Sequence, residues 1–224
     1  MKTTIQTTMQ TAMQKLFLTI ILAAISVSAF ANKLDVNKAI KLSVDIDKGK
    51  QLYQINCSRC HQSQSYISKQ HRAGTIPLIA GQHKNVLIKQ LIDIRNGDRQ
   101  NLIMYPYTLN QYLKNESEIA DVSAYIAQLP VSVNNTQGDG KESNFGKKLY
   151  NDNCKSCHGV KAEGNNNNFV PKLQGQEYNY LLRQFVMIRD KRRAKTHPKM
   201  LEAFNKISQT DKFSVLDYIS RINP

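Results

Sequence analysis

The sequence predicts an all-α protein made of two tandem copies of one helical module. Three observations carry this. C-x-x-C-H occurs twice, at Cys57-Ser58-Arg59-Cys60-His61 and at Cys154-Lys155-Ser156-Cys157-His158. The residues around each motif recur in the same order, the mark of an internal repeat. The apolar residues within the repeat fall at helical spacing, and no stretch alternates as a strand would.

The chain opens on a polar stretch, then Lys15, an apolar run from Leu16 to Val27, and Ala29-Phe30-Ala31. A charge, a short apolar core and an A-x-A end describe a secretory signal, residues 1–31, cleaved near Ala31. The run is too short for a comfortable membrane span. The first module is read as 32–130. Its opening Gly49-Lys50-Gln51-Leu52-Tyr53 matches Gly146-Lys147-Lys148-Leu149-Tyr150, with Cys57 and Cys154 at the same distance beyond. Pro77-Leu78-Ile79-Ala80-Gly81-Gln82 then matches Pro171-Lys172-Leu173-Gln174-Gly175-Gln176. Leu87, Leu91 and Ile94 form one helix face, repeated by Leu181, Phe185 and Ile188. Ile119, Val122, Ile126 and Leu129 form another, echoed by Val215, Ile219 and Ile222. Ser117 and Thr210-Asp211 are the expected N-terminal caps of these last helices. Pro130 closes the first module, 131–144 reads as a linker, and 145–224 is the second module. The Asn165–Asn168 run reads as an exposed loop without chemistry.

The two motifs hold all four cysteines of the chain. Two thiols three positions apart on a helical turn can each bond one vinyl group of a porphyrin, and the next residue is then an imidazole under the iron. A redox disulfide or a zinc site would use the cysteine pairs but give no reason for a histidine directly after each. The reading is two covalently attached haem c groups, on Cys57, Cys60 and His61, and on Cys154, Cys157 and His158. Attachment of this kind takes place outside the bacterial cytoplasm, in agreement with an export signal and a periplasmic location.

Each iron needs a sixth ligand or an open position. Beyond the signal the methionines are Met104, Met187 and Met200. Met104 lies 43 residues after His61, and Met200 lies 42 after His158. That matched placement selects them as axial ligands over core packing. Met187 falls inside a helix and reads as a packing residue. His71, His83 and His197 are rival ligands, but none has a counterpart in the other module; His83 reads as solvated.

These features resemble class I cytochromes c, and the tandem arrangement is similar to the diheme cytochrome c4 family. The resemblance runs from about Asp45 to Ile222. It implies a fold of two tandem class I cytochrome c domains, each wrapped around one covalently bound haem. It implies that Pro77 and Pro171 offer carbonyls to Nδ1 of the two haem histidines, and that the domains are related by an approximate two-fold. One departure stands out: the family usually has glycine after the haem histidine, and Gly159 fits, but Gln62 does not.

An iron with all six bonds taken has no place for a substrate, so the function expected is one-electron transfer, not catalysis. The reading is a periplasmic diheme carrier between a respiratory donor and a terminal oxidase or reductase. The alternative is the cytochrome subunit of a dehydrogenase, such as a flavin-containing sulfide dehydrogenase. A diheme peroxidase would need an open iron. The net charge is +14, and +12 once the signal with Lys2 and Lys15 is gone. Four haem propionates would lower this to about +8. Such a surface suits redox partners with acidic docking faces, or peripheral contact with anionic lipid, rather than nucleic acid or a small-molecule substrate. The basic run Arg189, Lys191, Arg192, Arg193, Lys195 reads either as a docking patch or as a solvated helix end.

Overall fold

A computed structural model describes residues 33–61, 75–131 and 135–224. The export signal, Gln62, His71 and Asn134 lie outside the described residues. Ten α-helices and one 3-10 turn are described, and no strand; two isolated bridges, Arg99 with Arg193 and Asn165 with Val170, are the extended pairings. No described helix is long and apolar enough to cross a membrane.

In the first module α1 (Val36–Ala39) leads to α2 (Ile46–Asn56), α3 (Ser58–His61), α4 (Lys84–Arg95), a 3-10 turn (Pro106–Thr108) and α5 (Glu116–Gln128). Asp45 starts α2 by accepting from Lys48 N–H at 3.0 Å. The start of α5 is capped by Asn115, whose Oδ1 accepts from Glu118 N–H at 3.1 Å. Ser117, the expected cap, lies inside the first turn instead. The second module repeats the order with α6 (Ser143–Asn153), α7 (Lys155–His158), α8 (Tyr178–Arg189), α9 (Pro198–Asn205) and α10 (Asp211–Arg221). Thr210 holds the N-cap position of α10, but Ser208 Oγ takes the Asp211 N–H, at 3.0 Å.

Each module has its own core. Leu87, Ile88, Ile92, Ile119, Val122 and Ile126 close the first; Leu181, Phe185, Val215, Leu216 and Ile219 close the second. In both, the first long helix crosses the last at a glycine, Gly49 against Asp121 and Gly146 against Ser214, where only a missing side chain lets backbones approach so closely. The tyrosines one turn on pair across the same crossing, Tyr53 with Tyr125 at 5.5 Å and Tyr150 with Tyr218 at 5.6 Å.

Leu34–Pro224 forms one unit, and its two halves are joined by polar contacts. Gln100 N–H donates to Arg192 O at 3.0 Å and Ala194 N–H to Asp98 O at 2.7 Å. Asn166 Oδ1 accepts Asn85 N–H at 3.0 Å, so the asparagine loop caps α4 of the other module rather than merely facing solvent. The second half of the linker is held on the second module: Asn135 donates to Ser220 O, Thr136 binds Glu177, and Gly140 N–H donates to Asp217.

Candidate functional site

In the first module, α2 ends at Cys57, whose N–H donates to Tyr53 O at 2.9 Å, and the chain turns directly into α3. His61 N–H closes that turn on Cys57 O at 3.0 Å. The motif is therefore a rigid helical turn, with two half-buried thiols and a histidine that is 8% exposed. His61 Nδ1 donates to Pro77 O at 3.1 Å. The second module repeats this geometry: Cys154 N–H donates to Tyr150 O at 2.9 Å, His158 is 4% exposed, and its Nδ1 donates to Pro171 O at 3.1 Å. Burial, reinforced by the second thiol of each pair, pushes Cys57 and Cys154 up to about 12, so as free thiols they are protonated. Burial lowers His158, partly opposed by its bond to Pro171.

Cys57, Cys60, His61, Pro77 and Met104 share the wall of one cavity of about 1160 Å3, its open mouth included. Ile79, Leu87, Leu91, Ile94, Val122 and Ile126 make the rest largely apolar. Met200 is half-buried on α9, one turn before Phe204, which stacks on Phe185 of α8 at 4.3 Å. Of the rival histidines, His71 lies outside the described residues, and the other two make bonds of their own. His197 is exposed and caps α9, with Nδ1 accepting from Lys199 N–H at 3.2 Å. His83 is half-buried, not solvated, and its Nε2 donates to Glu163 O at 2.9 Å. Met187 is core, with Gln184 Nε2 on its sulfur at 3.6 Å.

The same cavity has a cationic rim that sequence reasoning missed. Arg99, 4% exposed, donates to Gln90 Oε1 at 2.8 Å and, at 2.9 Å each, to Tyr180 Oη and Gln184 Oε1. Arg99, Tyr180 and Arg183 all line the cavity, and the last two come from the second module. Burial alone would raise the Tyr180 hydroxyl, but Arg99, Arg193 and Arg183 outweigh it and hold the phenol below its usual range. Burial, and Arg99 beside it, push Arg193 down to about 10. In the basic run Arg189, Lys191, Arg192 and Lys195 stay exposed, and Arg193 is half-buried. Arg193 donates to Gln184 in the seam, Lys195 pairs with Asp98 at 2.8 Å, and Arg189 is held by Asp190 and Gln209.

The residues fit a haem. The Arg99 Nε is buried without a hydrogen-bond partner among the described residues, and its charge meets only neutral acceptors in the bonds above. A buried cation of this kind calls for an anion, which a porphyrin carrying propionates supplies at the rim of an otherwise apolar slot.

Two all-α modules with paired thiols, an adjacent imidazole and an apolar slot define a cytochrome c. The cytochrome c family model matches residues 46–130 and 143–216, and the chain belongs to that family. It is 27% identical over 175 residues to the cytochrome c4 of Pseudomonas aeruginosa, covering 75% of this chain and 84% of that one. Among solved structures it is similar to reduced cytochrome c4 from Pseudomonas stutzeri, with a TM-score of 0.67, 24% identity, and coverage of 81% and 100%. It is also similar to thiosulfate dehydrogenase from Marichromatium purpuratum, with a TM-score of 0.66 and 22% identity, over 79% of this chain and 40% of that one. The chain is a cytochrome c4-like diheme electron-transfer protein with two covalently attached haem c groups.

Proposed function

We propose that both irons are six-coordinate, held by His61 and Met104 in the first module and by His158 and Met200 in the second. The observation that carries the first set is an apolar cavity whose wall holds Cys57, Cys60, His61 and Met104 together; the second set rests on the repeat, with His158 on Pro171 O as His61 is on Pro77 O and Met200 at the matched distance. Cys57, Cys60, Cys154 and Cys157 would form the thioethers. With Nδ1 turned to the proline carbonyl, Nε2 is the nitrogen each ring offers to iron, and the bond raises its basicity. The haem supplies reversible one-electron chemistry. Leu87, Leu91, Ile94, Val122 and Ile126 keep water from it, which favours the reduced state. Arg99, Tyr180 and Arg183 would hold the propionates of the first haem.

The protein works as a periplasmic carrier, exported with cleavage near Ala31, between a respiratory donor and an oxidase or reductase with acidic docking faces. No small molecule is transformed. The likeness to a thiosulfate dehydrogenase supports a second reading, an electron-transfer subunit of a dehydrogenase, which copurification with a catalytic subunit would reveal.

The test is a spectrum of the mature protein with haem quantitation. Two haems per chain and a sulfur-to-iron charge-transfer band are expected. Met104→Ala and Met200→Ala should each remove about half of that band; a band that survives either change overturns that ligand.

A further inference from the structure

The doubled P-x-x-x-G-Q segment does more than support each haem histidine. Gly81 and Gly175 take φ of +69° and +65°, and their N–H groups donate to Ile126 O at 3.0 Å and Ile222 O at 2.7 Å. This anchors the segment on the last helix of its own module and sends the following glutamine across to the other. Leu78 N–H donates to Gln176 Oε1 at 2.9 Å, and Gln176 Nε2 donates to Leu78 O at 2.8 Å. Reciprocally, Lys172 N–H donates to Gln82 Oε1 at 3.0 Å, and Gln82 Nε2 donates to Lys172 O at 3.0 Å. Each amide's oxygen also takes a neighbouring N–H, Glu177 onto Gln176 and His83 onto Gln82, both at 3.0 Å. Two N–H donors at each oxygen fix which way round the amide sits.

Leu78 N–H belongs to the same peptide unit as Pro77 C=O, and Lys172 N–H to the same unit as Pro171 C=O. A planar peptide transmits polarisation from one end to the other. An acceptor on its N–H makes its carbonyl a better acceptor in turn, as in any hydrogen-bonded chain. The bonds therefore join into two relays. One runs from His61 Nδ1–H to Pro77 O, through the peptide to Leu78 N–H, and on to Gln176 Oε1. The other runs from His158 Nδ1–H to Pro171 O, then Lys172 N–H, then Gln82 Oε1.

We infer that Gln82 and Gln176 are positioning residues acting in trans, each tuning the haem histidine of the opposite module through the proline peptide. The inference rests on the proposed ligation by His61 and His158. Withdrawing the glutamine oxygen weakens the Nδ1–H bond, makes the ring a poorer donor to ferric iron, and raises the potential of that haem. Gln176 is 6% exposed and Gln82 is half-buried, so water does not simply replace the Gln176 amide.

The test uses the full two-haem protein. Gln176→Leu should raise the potential of the first haem and shift the His61 Nδ1–H proton resonance, leaving the second haem and His158 unmoved. Gln82→Leu should do the reverse. Gln176→Glu puts a carboxylate, a stronger acceptor than the amide, on Leu78 N–H, so the His61 resonance should shift the opposite way to that of the leucine variant; this variant carries the test should the leucine variant not assemble. A change confined to the haem of the mutated module, equal changes at both haems, or no change overturns the inference. Haem quantitation and the sulfur-to-iron band on the parent protein separate this from failure of the ligation: if two haems or that band are missing there, the ligation reading is what fails.

Discussion

Alanine at Gly146 tests whether the helix crossing, rather than helix propensity, decides stability. A Cβ at this position would sit 2.6 Å from the carbonyl carbon of Ser214 and 3.0 Å from Cβ of Tyr218. The first is backbone, so no side-chain rotation relieves it; α6 and α10 must move apart. In an open helix, alanine for glycine gains about 0.5–1 kcal/mol. Overpacking costs about 1–3 kcal/mol, and a backbone obstacle belongs at the upper end. The net is a loss of about 2 kcal/mol, which for the joined two-module unit lowers Tm by about 4–8 °C. Gly49 faces the same geometry, 2.7 Å from the Asp121 carbonyl carbon. Thermal unfolding of the two-haem protein, followed by far-ultraviolet circular dichroism, should show this fall in Gly146→Ala. The exposed neighbour Lys147 supplies the control, Lys147→Ala, with Tm close to the parent. A Gly146→Ala protein as stable as the parent refutes the reasoning.

Two further outcomes follow from the seam. Arg99→Gln removes a buried cation from the rim of the first cavity, so redox titration should show the first haem at a lower potential and the second little changed; an unmoved first haem would separate Arg99 from the cofactor. Burial lowers the His83 pKa and Lys172 adds to the effect, against an opposing bond to Glu163 O. A base whose folded pKa lies below its unfolded value of about 6.5 takes up its proton first in the unfolded chain. Its stabilising share is full above that pH and is lost as pH falls towards the folded pKa. Between about pH 8 and about pH 5, His83→Gln should therefore lose less Tm than the parent; equal losses would refute the coupling.

The helices were legible because burial follows period. Leu87, Ile94, Leu181, Phe185 and Ile188 are each 6% exposed or less, on the faces that their spacing marks. Helix starts were less so. Asn115 and Ser117 are both good caps, and only the chain's path decides which one reaches a free N–H. The short α1 carries too few residues for periodicity; it is held by its Asp35 cap and the buried Ala39. At α9 the signal was present, Pro198 at the first turn after a capping His197, but nothing matches it in the first module, where a 3-10 turn stands. What sequence could not show was the space between the copies. The glutamines of the repeat were visible, but their partners lie 98 and 90 residues away. Nor could it show which cations of the exposed basic run are partnered, because Asp98 and Gln184 meet Lys195 and Arg193 only through folding.

That seam also explains why two modules behave as one protein. Arg99 and Arg193 approach across the antiparallel bridge and both donate to Gln184 Oε1, so like charges share one neutral acceptor. A buried guanidinium, Arg99, beside a half-buried one, Arg193, is costly with only a neutral acceptor between them. A single module would leave Arg99 without Tyr180 and Gln184, and Leu78 and Lys172 without the glutamines that satisfy their backbone. Each module therefore carries polar groups that only its copy can satisfy. The repeat is a pair by construction: the proline peptide that faces each motif histidine is anchored on a glutamine of the other module.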